Sequence, residues 1–173
     1  MNEHYQRGFI KAAMSQGLSY GEAIDLLKIS TDDGPIRPSP GKAALLRGAT
    51  TLLGAVGPAI PMARASYVDH KNDKYTHFSK ELRGAKTFKE RNKVYNDNSY
   101  LQRDSREGLK GLAVGMGLGG LAGGAAGAIS DGSSHSALLG ALAGAIPGAI
   151  AGNAYGGYKG AKRYNSEVLD KLK

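Results

Sequence analysis

The chain is 173 residues long with a formal net charge of +8; it has 26 glycines, three phenylalanines, and neither tryptophan nor cysteine. The missing cysteine excludes disulfide frameworks, thiolate metal sites and a cysteine-linked lipid anchor. Its apolar content is held largely in alanine and glycine, too little in large side chains for a well-filled independent core, so the composition predicts stabilisation by oligomerisation, a membrane or a host assembly.

Residues 1–29 predict two short helices. Tyr5, Phe9, Ile10, Ala12 and Ala13 follow helical spacing and Gly17 supplies a stop. Ser19-Tyr20-Gly21-Glu22 is a capping box, opening a second helix with Ala23, Ile24, Leu26 and Leu27. A pair this small is expected to dock on something larger. No continuous apolar stretch follows the first charges, which predicts no cleavable secretory leader. The strings YQRGFIKAA and GLSYGEAIDLLK, in which Phe9, Lys11, Leu18, Ser19, Glu22, Leu26 and Leu27 carry the pattern, resemble a short N-terminal motif of assorted virion proteins of tailed bacteriophages. The likeness covers residues 5–28. It implies a structural or internal phage protein rather than an enzyme, with other virion proteins as its partners.

Residues 30–41, STDDGPIRPSPG, hold three of the six prolines and read as an extended linker. Residues 42–66 form a small-residue apolar segment: a helix over 42–57 carries Ala44, Leu45, Leu46, Leu52, Leu53 and Val56 and ends at Pro58-Ala59-Ile60-Pro61. The sixteen uncharged residues 48–63 are short for a membrane span and broken by two prolines, which favours an interfacial, re-entrant or partner-packed helix over a third transmembrane helix.

Residues 67–110 are the basic, polar helical centre. Phe78, Leu82, Phe88, Val94, Tyr95 and Leu101 give an irregular helical stripe, and Thr87-Phe88-Lys89-Glu90 is a second capping box. Lys80, Arg83, Lys86, Lys89, Arg91 and Lys93 cluster there among aromatic residues. Such a mixture suits non-specific DNA contact or an anionic lipid surface, whereas the interspersed acids suit a solvated helix face.

Residues 111–160 carry two trains of glycine at a spacing of four: Gly111, Gly115, Gly119, Gly123 and Gly127, then Gly140, Gly144, Gly148, Gly152, Gly156 and Gly160. Each glycine in a water-exposed helix would cost about 1 kcal/mol relative to alanine. At this spacing they stack into one stripe against which a second helix backbone can lie, as in tightly packed membrane helices. Leu138, Leu142, Ile146 and Ile150 each stand two residues before a glycine and are expected to face lipid. Residues 111–130 and 136–158 are uncharged runs of 20 and 23 residues, long enough at about 1.5 Å per residue to cross a core of about 30 Å. A hairpin through Asp131-Gly132-Ser133-Ser134-His135 follows, with a kink expected at Pro147. The trains are expected to oligomerise through their glycine faces.

Basic segments flank the hairpin, the second being the tail 161–173. Under ordinary biosynthetic insertion both flanks would lie on the cytoplasmic side. Gly115-x-Gly117-x-x-Gly120 has the spacing of a dinucleotide-binding loop, but no acidic residue follows about 20 positions on to hold a ribose, and the glycines continue past any loop. The four histidines His4, His70, His77 and His135 are scattered, there is no phosphate-binding loop, and Ser134-His135-Ser136 is not a triad, so no catalytic, cofactor or metal site is expected. The sequence thus predicts an all-α, non-enzymatic protein of the virion: a short helix pair, a basic helical middle and a glycine-zipper hairpin. The expected role is to engage the host membrane during genome delivery. A purely structural capsid, portal or tail role and a holin-like or toxin-like pore are the alternatives.

Overall fold

A computed structural model describes residues 34–54 and 59–172, together with Arg7, Ile10, Lys11, residues 13–15 and 19–21, Ala23 and Ile24. The chain divides into two compact units, Met1–Ile36 and Arg37–Lys173. The fold is all-α, with no strand among the described residues.

In the first unit the described residues from Arg7 to Ser15 and from Tyr20 to Ile24 are helical, and Ser19 is not. The Ala23 amide donates to the Ser19 carbonyl at 3.0 Å, so a helix opens at Ser19 as its capping chemistry predicts. Ala13 and Ala23 are buried; Lys11 and Ser19 are exposed. The other positions of the phage-like motif, Phe9, Leu18, Glu22, Leu26 and Leu27, lie outside the described residues, as do the stop at Gly17 and residues 30–33 of the linker.

Among its described residues the second unit holds six helices: α1 (Pro40–Leu52), α2 (Ala59–Asp73), α3 (His77–Gly84), α4 (Phe88–Asn98), α5 (Tyr100–Asp131) and α6 (Ser134–Glu167), closed by a 3-10 turn at Leu169–Leu172. Helix α1 starts two residues before the expected Lys42, because Ser39 and Pro40 form a start signal. The Ser39 hydroxyl accepts from the Lys42 amide, and Pro40 stands at the first helical position, where its missing N–H is not needed. The preceding extended residues lie against the far end of the unit, with Asn165 Nδ2 donating to the Pro38 carbonyl at 2.9 Å and Arg37 paired with Asp170 at 3.0 Å.

The expected single helix over 42–57 is shorter. It stops at Leu52, Gly54 takes a left-handed φ of +67°, and α2 opens at Ala59 with Pro61 in its first turn. Pro61 therefore begins a helix rather than ending one, since a first turn has no use for its N–H. The basic centre becomes the rest of α2, α3, α4 and the first turns of α5. The box before α4 is present: Thr87 Oγ1 accepts from the Glu90 amide at 3.2 Å, and Glu90 Oε2 accepts from the amides of Thr87 and Lys86 at 3.1 and 2.9 Å. Those amides hold the Glu90 carboxyl below its ordinary value.

The start of α5 is fixed from α2. Asp69 accepts from the Ser99 hydroxyl, the Tyr100 amide and the Leu101 amide at 2.5, 2.5 and 2.9 Å, answering donors that a helix start leaves unpaired. Burial pushes the Asp69 carboxyl above its ordinary value, against the pull of these three bonds. The core gathers here, around the lower ends of α5 and α6. The Tyr100 and Tyr164 rings pack at a tilt with centres 5.3 Å apart, Asn72 Nδ2 donates to Tyr164 Oη at 3.1 Å, and Val68, Ala161 and Leu169 are buried.

Candidate membrane-inserting hairpin

Helices α5 and α6 are joined by two residues, Gly132 and Ser133, so they run antiparallel as immediate neighbours. Gly132 ends α5 with a φ of +69°, a conformation suited to glycine, and its amide donates to the Ala128 carbonyl at 3.0 Å. Ser133 caps α6 by accepting from the Ser136 amide at 3.1 Å, and Asp131 accepts from the Ser133 amide at 3.0 Å and the Ser136 hydroxyl at 2.5 Å. The connection is shorter than the five-residue loop expected because Asp131 still belongs to α5 and Ser134 and His135 already belong to α6.

The glycine trains meet each other. Gly111 faces Gly152, Gly115 faces Gly148, Gly119 faces Gly144 and Gly123 faces Gly140; at the tip Gly127 faces Ser136. At each of these positions an added Cβ would overlap a backbone carbonyl oxygen of the opposite helix. Glycine is therefore required by a backbone-to-backbone approach that no side chain can enter. The sequence assigns these faces to contacts between copies; in the structure the chain's own second helix fills them. Gly156 and Gly160 lie beyond the paired trains, Gly156 against Glu107 and Gly108 and Gly160 against Asp104. This lets two acidic residues of α5 sit tight against α6.

What the helices turn outward is apolar. Leu138, Leu142 and Ile146 are 60%, 59% and 66% exposed, and Val114, Leu118, Leu121 and Ile129 are exposed on α5. Ile150 is half-buried, near the level where Asn153 Nδ2 of α6 donates to Thr51 Oγ1 of α1 at 2.8 Å. Helix α6 runs through the exposed Pro147 without interruption. Both helices are long and apolar enough to cross a membrane, and almost nothing of their most apolar stretches is buried within the protein.

Charge returns abruptly at the base of the hairpin, in contacts that sequence reasoning missed. Arg47 of α1 donates through Nε and Nη2 to Asp104 Oδ2 at 3.1 and 2.6 Å, with both side chains largely buried. Room for the Arg47 side chain comes from Gly108, where an added Cβ would stand 3.1 Å from the guanidinium, and from Gly157, where it would stand 2.7 Å from Cγ. Buried Glu107 pairs with Arg163 at 2.8 Å and with Lys110 at 3.6 Å. Tyr155 and Tyr158 are exposed beside this belt. The legible signal was the position of Gly108 and Gly157, which fall outside the period-four register.

All six residues of the predicted basic patch are exposed: Lys80 and Arg83 on α3, Lys86 in the turn after it, and Lys89, Arg91 and Lys93 on α4. Arg91 Nε also donates to the Ala85 carbonyl at 3.1 Å, which ties α4 back to the end of α3. Among the described residues, no three histidine, aspartate or glutamate side chains gather as a metal site requires. No protein-family model, curated protein or solved structure matches the chain.

Proposed function

We propose that this chain is a non-enzymatic phage virion protein whose α5–α6 hairpin enters the host membrane during genome delivery, several copies acting together. The observation that carries the membrane part is the hairpin's division of labour. Glycine faces are used up between α5 and α6, and large apolar side chains point outward over the uncharged residues 111–130 and 136–158. In water that surface is a liability; in hydrocarbon it is the side that belongs outside. The virion part is supported by the resemblance at residues 5–28. The exposed basic residues of α3 and α4 would then meet DNA or anionic headgroups.

Two measurements test this. Purified protein added to vesicles of phosphatidylcholine and phosphatidylglycerol should partition with the lipid and release a trapped dye. Protein that does neither is a packing element of a larger assembly and overturns the membrane role. Mass spectrometry of purified particles should find the chain in them. Its absence there, together with collapse of the membrane potential on expression, would favour a holin-like pore.

A further inference from the structure

The exposed basic residues of α3, α4 and the turn between them have no acidic partner in the fold. Among the described residues none of Lys80, Arg83, Lys86, Lys89, Arg91 and Lys93 pairs with a carboxylate. Two of the acids interspersed with them are occupied: Glu90 accepts from the Lys86 and Thr87 amides, and Glu81 Oε2 accepts from Asn98 Nδ2 at 2.9 Å. Helix α4 has two distinct faces. Arg91, Tyr95 and Asn98 are turned to α3, through the Ala85 carbonyl, the Phe78 ring 5.9 Å away and Glu81 respectively. At about 100° per residue, Lys89, Asn92, Lys93 and Asn96 fall together on the roughly opposite face. Lys89, Asn92 and Lys93 are exposed and Asn96 is half-buried. Asn96 Nδ2 reaches Asn92 Oδ1 at 3.5 Å, which leaves the Asn92 amide donors free. Glu90 and Asp97 border this face on one side and Phe88, 84% exposed, on the other.

We infer that α3 and α4 form a docking surface for duplex DNA, in which the Lys89, Asn92, Lys93 and Asn96 face of α4 lies in the major groove and Lys80, Arg83 and Lys86 bind the phosphates beside it. This narrows the contact of the basic helices proposed above to one partner and stands apart from insertion of the hairpin. Charge complementarity calls for a polyanion, and the make-up of the face chooses between polyanions. A helix that lies on lipid presents large apolar side chains opposite its cations, and this face of α4 has none. A DNA groove asks for cations to meet phosphates and for amides that can pair with base edges, which two lysines and two asparagines supply. The major groove is about 12 Å wide and admits one helix. Helices α3 and α4 are joined by three residues, Ala85, Lys86 and Thr87, a connection of the length found in helix–turn–helix units, whose second helix enters that groove.

Fluorescence anisotropy of a labelled duplex of about 20 base pairs, titrated with full-length protein in non-ionic detergent across a salt series, tests this. The logarithm of the binding constant should fall linearly with the logarithm of salt concentration. Lys89→Gln with Lys93→Gln should flatten that slope by about 1.8, at about 0.9 per phosphate contact. Lys162→Gln, at an exposed lysine of α6, should leave it unchanged. Asn92→Ala changes no charge; it should keep the slope and weaken duplex binding at least about threefold through the lost base-edge contact. Circular dichroism should show the same helix content in every variant. A slope that ignores the double variant, or that Lys162→Gln flattens as much, overturns the surface. An Asn92→Ala variant that binds as before, or a single strand of equal length bound as tightly, overturns the groove. If the lysines of α4 are needed for phosphatidylcholine–phosphatidylglycerol vesicles and the duplex is not bound, the partner is lipid and the inference fails. Protein that binds the duplex through these residues yet ignores vesicles keeps this surface and loses the membrane role.

Discussion

Two glycines of α5 that look alike in sequence have opposite surroundings. Gly119 lies on the face that meets Gly144, whereas a Cβ at Gly117 would meet nothing within 4 Å. At Gly144 a Cβ would overlap the Gly119 carbonyl oxygen and stand 3.1 Å from the Gly123 Cα, and backbone atoms cannot swing aside as a side-chain tip can. Gly144→Ala should therefore destabilise the hairpin by about 1–3 kcal/mol, the usual range for overpacking. Gly117→Ala should be neutral or stabilising by up to about 1 kcal/mol, because alanine is the better helix former. Leu142→Ala, which trims an outward side chain, should be milder than Gly144→Ala. Thermal unfolding in one detergent ranks the three variants, and equal losses at positions 117 and 144 would refute the face assignment.

Between elements, a largely buried ion pair ties α1 to α5. Asp104 is almost fully buried, and its Oδ2 takes both bonds from Arg47. Removing the arginine alone leaves a buried carboxylate without its cation, so Arg47→Met should cost about 3–5 kcal/mol. Changing both residues, Arg47→Met with Asp104→Leu, removes the desolvation penalty along with the attraction and should recover most of that loss. Denaturant unfolding followed by circular dichroism decides it; a double variant as unstable as the single one would mean the pair acts through shape rather than charge. This link also marks where sequence reading stopped. The glycine trains and the Thr87–Glu90 box were legible because each is a local period or spacing with one physical meaning. Arg47 and Asp104 lie 57 positions apart, and no local period or spacing joins them. Likewise the break after Leu52 hinges on Gly54, one glycine among 26, and only the fold distinguishes it.

At the scale of the whole molecule, the interdigitated trains change what an assembly of copies can look like. A glycine face that already holds the chain's own second helix is not open to a neighbour, so in the proposed assembly copies that keep the hairpin intact would meet within the bilayer through the outward Leu, Ile and Val side chains. Those side chains gain little from leaving lipid for one another, because hydrocarbon is as apolar as they are, and association in the membrane then rests on close packing. The outward face of α5 offers a place for it: the exposed Val114 and Leu121 stand about one turn to either side of Gly117. Val114→Cys should therefore form disulfide-linked dimers on oxidation in vesicles, whereas Phe88→Cys, on an exposed residue of α4 away from the hairpin, should not. Dimers should persist when the protein is diluted tenfold in lipid, which separates association from chance encounter. If Val114→Cys inserts and stays monomeric on oxidation, this face does not join copies. If Phe88→Cys cross-links instead, the copies meet through the basic helices outside the bilayer.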